Sequence, residues 1–289
     1  MNNLDLRPLS VGEVLDRTFT LYRNYFVLFL GISAIPHILV LLVNLSQLAF
    51  LIPSGMPMPG TRRPPIPASI GSPGALGAYF GLMFLAVIVA FVALLLSQGA
   101  TVIAVSELYL GRTITIQESF KTVLGELGTL VGVLILNGLA IIAGFILFIF
   151  PGFYVMCRLL VSVPAALLER LNARVAMERS WELTRDNAGR AFLIILLYFA
   201  LSFAAAGLLT FPFQILIVLQ KNSPEMVLVY LGLTQVGAFI GNVLVTPVMT
   251  IASSILYYDL RVRKEAFDLQ LMLAPLAGPV TGGVPKTII

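Results

Sequence analysis

Long apolar runs alternate along the chain with short segments in which apolar and polar residues recur at helical spacing. A helix needs roughly 20 apolar residues to cross a bilayer. Six runs meet or approach that length, at 26–52, 75–106, 127–150, 153–168, 191–219 and 227–258. They predict an all-α membrane protein with six transmembrane helices. The longest runs exceed the hydrocarbon thickness and must tilt, kink or project. Pro36, Pro212 and Pro247 are the candidate kink points. The fourth run is the shortest and carries Arg158 and Pro164. Pro151 and Gly152, just before it, are read as a tight turn.

Between the runs lie amphipathic segments. "SVGEVLDRTFTLYRNYF" precedes the first helix and "TIQESFKTVLGELGTL" the third. Both open on S/T-x-x-E, the capping box, in which a hydroxyl and a carboxylate satisfy orphan amides at a helix start. The pairs are Ser10 with Glu13 and Thr115 with Glu118. Apolar residues then follow at 3–4-residue steps: Val11, Leu15, Phe19, Tyr22 and Phe26 in one, and Ile116, Phe120, Val123 and Leu127 in the other. A third segment, "RVAMERSWELTRDNAGR", precedes the fifth helix and traces Met177, Trp181, Thr184 and Ala188 without a Ser/Thr cap. Such helices belong at the membrane interface. The pattern reads as a threefold repeat over about 9–110, 113–170 and 174–260. Each unit exits on an acid followed five residues later by a base: Glu107 and Arg112, Glu169 and Arg174, Asp259 and Lys264.

Composition and charge strengthen the membrane reading and orient it. The chain is 58% hydrophobic and 11% charged, against about 25% charged in soluble domains. The net charge of +4 does not indicate a nucleic-acid partner, because the basic residues sit at the ends of apolar runs. Most of the 18 Lys and Arg fall on the N-terminal side of six crossings, leaving Arg62, Arg63 and Lys221 opposite and Arg158 within the bilayer. By the positive-inside rule both termini are cytoplasmic. No cleavable signal peptide is expected, since the first apolar run is far longer than a signal core of about 7–15 residues. Residues 1–273 are read as a single integral membrane domain, with a Pro/Gly-rich external loop at 53–74 and a flexible tail at 274–289. A final amphipathic stretch runs over 265–273.

Candidate chemistry is sparse. One cysteine and one histidine exclude the usual His/Cys metal cluster. No zinc-protease, nucleophile-elbow or phosphate-loop motif occurs, so neither a metal nor a cofactor is expected. An ionisable residue in a membrane segment marks a functional site by default. Arg158 has two readings: it snorkels to the outer interface, or it pairs with a buried acid or a bound anion. His37 is either a hydrogen-bonded bundle residue or a proton relay. The amides Asn44, Gln47, Gln98, Asn137, Gln214, Gln235 and Asn242 either bond between helices or line a polar path. Trp181 is read as a membrane anchor, and Tyr257 and Tyr258 as an interfacial belt.

Two stretches carry a resemblance: "PGFYVMCRLLVSVPAALLERLNARVAMERSWELTRDN" and "YYDLRVRKEAFDLQLM". With the opening "RPLSVGEVLDRTFTLYRNYF", they are similar to the membrane domain attached to some bacterial glycerophosphoryl diester phosphodiesterases and to its stand-alone multi-pass relatives. The resemblance runs over about residues 6 to 273. Pro151, Gly152, Arg158, Asp259, Arg261, Glu265 and Asp268 match its pattern, and it implies no catalytic role for them. In such enzymes the chemistry belongs to a separate soluble barrel with His, Arg and acidic metal ligands, which this sequence lacks. The resemblance therefore implies a non-catalytic module of the bacterial inner membrane. Two roles stay open: a scaffold or anchor for a protein partner at the cytoplasmic face, or a transporter or flippase for a lipid-like or amphipathic molecule.

Overall fold

The structure, a computed structural model, describes residues 9–51, 73–219 and 224–265. Arg62, Arg63, Lys221, Asp268, most of the 53–74 loop, residues 266–273 and the 274–289 tail lie outside them. The described residues form eleven helices in the order α1 (Val11–Asn24), α2 (Phe26–Leu51), α3 (Pro73–Tyr109), α4 (Ile116–Leu124), α5 (Leu127–Leu147), α6 (Ile149–Arg158), α7 (Ser162–Leu168), α8 (Ala173–Leu183), α9 (Ala188–Leu209), α10 (Phe211–Leu219) and α11 (Pro224–Glu265). No strand occurs among them. Six stretches are long and apolar enough to cross a membrane: Phe26–Leu48, Gly77–Tyr109, Leu127–Leu147, Ile149–Leu168, Ala188–Leu209 and Met226–Glu265.

The short helices α1, α4 and α8 start where the sequence offers caps. Ser10 and Thr115 each close a full capping box with Glu13 and Glu118. The cap thought missing from α8 is supplied by Asn172, whose side chain accepts from the Val175 N–H at 3.0 Å. Asn serves there as well as Ser, because its oxygen reaches the same orphan amide.

The buried faces of α1 and α8 share only Thr184 with the apolar stripes traced for them. Val14, Thr18 and Leu21 are buried on α1, while Phe19 and Phe26 are exposed. Ala176, Ser180, Leu183 and Thr184 are buried around α8, while Trp181 is exposed. Small and hydroxylated residues permit close helix approach and bond to backbone. Thr18 donates to the Val14 carbonyl, and Ser180 to that of Arg158.

The fourth membrane run departs from expectation in two ways. The chain reverses at Phe148, whose backbone is extended, so Pro151 and Gly152 are not the turn but lie within α6. Proline fits there because the first amides of a helix have no intrahelical acceptor. The glycine lets α5 and α6 touch: a Cβ on Gly144 would stand 3.0 Å from the Gly152 Cα, and one on Gly152 would meet the Phe145 ring. The run then breaks between Arg158 and Ser162. Pro164 explains the break, since it has no N–H for the Leu160 carbonyl and its ring crowds that group. A similar interruption at Thr210 splits the fifth run before Pro212, whereas Pro36 and Pro247 remain inside continuous helices.

The described residues pack as two compact units. One comprises the described parts of Met1–Ile32, Leu95–Phe199 and Thr246–Ile289. Its core includes Phe29, Ile32, Leu95, Leu130, Ile194, Ile251, Ile255 and Tyr257. The other comprises the described parts of Ser33–Leu94 and Ala200–Val245. Within it Gln47 donates to the Leu82 carbonyl at 2.9 Å, and Asn44 to the Gln235 side chain at 3.4 Å.

Candidate functional site

The polar chemistry of the first unit gathers on the last turns of α11. Helical spacing sorts these residues into stripes. Tyr257, Arg261 and Glu265 form one, and Asp259 and Arg263 another.

The first stripe meets Glu169 at the end of α7 and Arg179 on α8. Arg170 takes a left-handed φ of 50°, and the Leu171 N–H returns to the Ala166 carbonyl at 3.0 Å. That Schellman-type stop ends α7 next to Glu169. The Glu169 carboxylate accepts from Tyr257 Oη at 2.8 Å and from Arg179 Nε at 3.1 Å. Arg179 also donates to Glu265, which accepts from Arg261 Nε at 3.0 Å. Two guanidiniums thus face two carboxylates. Burial works against the charge on Arg179, but Glu265 and Glu169 outweigh it and hold the group above its ordinary range.

The second stripe clamps the N-terminal segment. The Asp259 side chain is fully buried. Its Oδ1 accepts from the Leu9 N–H at 2.6 Å, and its Oδ2 from Arg190 Nη1 at 3.0 Å and Arg263 Nε at 2.9 Å. Both arginines also donate to the Leu9 carbonyl, at 2.9 Å and 2.5 Å. Both backbone polar groups of Leu9 are therefore held by charge-assisted bonds, the stronger kind. Leu9 and Val14 are buried at the two positions of a hydrophobic staple around the Ser10 cap.

Tyr258 completes the hub. Its hydroxyl donates to Ser106 Oγ at 2.9 Å, and its ring stacks on Tyr109 at 4.8 Å. The Tyr109 hydroxyl accepts from Arg17 at 3.3 Å. Tyr257 and Tyr258 are accordingly buried and hydrogen-bonded, not an interfacial belt; the low-dielectric interior requires partners for their hydroxyls.

The three acid-to-base exits also differ in fact. Glu107 and Arg112 make an ion pair at 3.5 Å. Glu169 pairs with Arg179, while Arg174 pairs with Glu178. Asp259 pairs with Arg190 and Arg263, and Lys264 donates to the Glu182 carbonyl. A five-residue step puts the two side chains on different sides of a continuing helix, so Arg174 and Asp259 find partners four residues along their own helices, and Arg179 and Arg190 come from elsewhere to Glu169 and Asp259.

A second feature of this unit is a groove of about 570 Å³ between α5, α6 and α8. Ala140, Val155, Leu159, Met177 and Trp181 line it, with Arg158, Glu178, Glu182 and Arg185. The helix break frees the Arg158 carbonyl, which accepts from Ser180 Oγ at 2.8 Å and Thr184 Oγ1 at 3.1 Å. These bonds fix Arg158 against α8. Its guanidinium lies 4.6 Å from the Trp181 ring and 5.8 Å from that of Tyr154. The residue is 4% exposed, so it does not snorkel. No acid pairs with it among the described residues. Trp181 is correspondingly a cation–π partner as well as an exposed ring.

The other predicted polar residues are dispersed. Asn137 donates to Ser162 Oγ at 2.5 Å. The His37 Nδ1 lies 2.8 Å from the Ser33 carbonyl, one turn back on its own helix. Gln235 meets Asn44. Gln98 is half-buried, and Gln214 and Asn242 are exposed. None of these last three joins a side-chain hydrogen bond among the described residues. Sequence reasoning missed Arg179, Arg190, Glu169 and Leu9 as one assembly, because partners as far as 250 positions apart leave no periodic signal.

The family-pattern positions fall into these places. Pro151 and Gly152 seat the α5–α6 hairpin, Arg158 lines the groove, and Asp259, Arg261 and Glu265 build the hub. No curated protein and no solved structure matches the chain. Residues 130–271, just under half of the chain and a shorter stretch than the sequence resemblance suggested, match the family model for the membrane domain of glycerophosphoryl diester phosphodiesterase.

Proposed function

We propose that the chain is a non-catalytic, multi-pass module of the bacterial inner membrane, with both termini cytoplasmic, that holds a protein partner on its cytoplasmic face. In this reading α1, α4 and α8 lie in the interface as the leading helices of three related units. The exposed Phe19 on α1, with Phe26 at the start of α2, is what a lipid-facing side requires. The basic excess on that side supports the orientation. The observation that carries the reading is the hub on α11, where Glu169, Arg179, Arg261 and Glu265 neutralise one another. Charges consumed internally give a fixed platform, and fixed surfaces bind partners at lower entropic cost. The family match concerns a membrane domain and not a catalytic one.

Photo-crosslinking residues at the exposed positions Lys121 and Arg174 provide the test. One recurrent protein adduct is expected in cells, and it should disappear when Glu169→Gln loosens the hub in a chain that still inserts. Lipid adducts alone would refute the reading. A second reading, a carrier for an amphipathic molecule, is favoured by the groove at Arg158. It expects Arg158→Ala to abolish flux in proteoliposomes without unfolding; unchanged flux would sink it.

A further inference from the structure

The groove between α5, α6 and α8 holds a cation with nothing to answer it. Arg158 is more than nine-tenths buried, yet its Nε makes no hydrogen bond. The two aromatic rings are its only side-chain partners among the described residues. A buried charge ordinarily finds an opposite charge or several hydrogen bonds, because leaving water is costly. Aromatic faces offer attraction but accept no strong hydrogen bond from the guanidinium fork.

The remaining charges on the groove decide the sign of what fits. Glu178 is engaged by Arg174 at 3.1 Å, while Glu182 is largely exposed and reaches, at 3.5 Å, only an Arg179 that Glu169 and Glu265 already hold. Arg185 has no ion pair among the described residues. Among the described residues the one buried charge lining the groove is therefore Arg158, which has no ion pair, with the exposed Arg185 as a second cation without one. The rest of the wall is apolar: Ala140, Val155, Leu159, Met177 and Trp181. A groove of about 570 Å³ lies in the range of small-molecule sites, about 300–1,000 Å³. Two of its walls, α5 and α6, belong to membrane-crossing candidates, so an acyl chain leaving it would meet hydrocarbon.

We propose that this groove binds a phosphate-bearing amphiphile, with the phosphate on Arg158 and Arg185 and the chain along Val155, Leu159 and Met177. A guanidinium meets phosphate oxygens through two parallel bonds, and Arg158 is preset for that by the α8 hydroxyls holding its backbone. The inference gives the carrier reading a chemical class of cargo but requires only binding, so a bound, unmoved ligand would defeat carriage and leave the site intact.

The chain's single tryptophan is Trp181, in the groove wall, so its fluorescence reports occupancy directly. The full-length protein in neutral detergent is titrated with short-chain phosphatidic acid, with diacylglycerol of the same chains, with glycerol phosphate and with inorganic phosphate. Saturable change is expected with phosphatidic acid, at concentrations at least about tenfold lower than with either free phosphate, because only the lipid also buries apolar chain; loss of one charge-assisted bond of about 1.5–3 kcal/mol corresponds to roughly 10–100-fold. Arg158→Gln should weaken phosphatidic acid by about that factor, and Arg158→Lys should restore little, since a point charge lacks the fork. Arg185→Gln, at an exposed position that cannot unfold the core, should weaken it several-fold. Equal response to diacylglycerol, equal affinity for free phosphate, or titrations unchanged in both the Arg158 and Arg185 variants would each overturn the proposal.

Discussion

Asp259 ties three segments of the chain together through one side chain. Its carboxylate answers two guanidiniums and a backbone N–H while fully buried. Removing one partner of a buried pair leaves the others uncompensated, at a cost of about 3–5 kcal/mol. Asp259→Asn keeps the shape and removes the charge, so the purified protein should unfold at a distinctly lower temperature. The exposed Glu107–Arg112 pair is the contrast, with the Arg112 side chain 68% exposed. Surface pairs contribute roughly 0–1 kcal/mol, so Arg112→Gln should scarcely move the transition. Equal shifts for the two variants would show that Asp259 is not the keystone its geometry describes. The sequence marked Asp259 as an exit charge and as a position matching the family pattern, but not as a clamp. A helix boundary and a buried clamp use the same residue types, and only the arrival of Leu9 and Arg190 distinguishes them.

Elements were more legible than residues, because caps and apolar length act locally. Both capping boxes stand where the spacing put them, and six apolar stretches have membrane-crossing length. What failed was the reading of turns and breaks. Phe148 turns the chain although Pro151 and Gly152 look like the turn, because glycine is needed inside α6 for contact with Gly144. The Thr115 box makes a prediction of its own. The Thr115 backbone N–H, then its hydroxyl, bond the Glu118 carboxylate and hold its pKa below the ordinary value. The unfolded chain therefore binds a proton at higher pH than the folded one. The cap contributes fully above the unfolded pKa and is lost as pH falls through the folded one. Amide exchange in the first turn of α4 should accelerate on acidification through the carboxylate range. Thr115→Ala should show fast exchange at neutral pH and little further pH dependence; a wild-type turn indifferent to acid would contradict the bonded geometry.

At the scale of the whole molecule, the proposed topology rests on apolar run length and on the placement of Lys and Arg. Run length reflects the hydrocarbon thickness, and the basic residues reflect the bias of cytoplasmic loops. The weak point is the fourth crossing, whose stretch Ile149–Leu168 is divided into helices of 10 and 7 residues. At about 1.5 Å per residue the longer piece reaches only about 15 Å, half of a bilayer core of about 30 Å. Together they suffice only if the break at 159–161 does not fold the second piece back. If it does, everything from Arg170 to Arg190 moves to the far side and the basic bias collapses. Single cysteines at Arg62 and Arg185, in a Cys157→Ser background that removes the native thiol, decide between these. An impermeant maleimide added to intact spheroplasts should label position 62 and reach position 185 only after lysis. Labelling of both from outside would put α8 outside the cell and remove the proposed platform from the cytoplasmic face, whereas opposite accessibility fixes the fourth crossing despite its break.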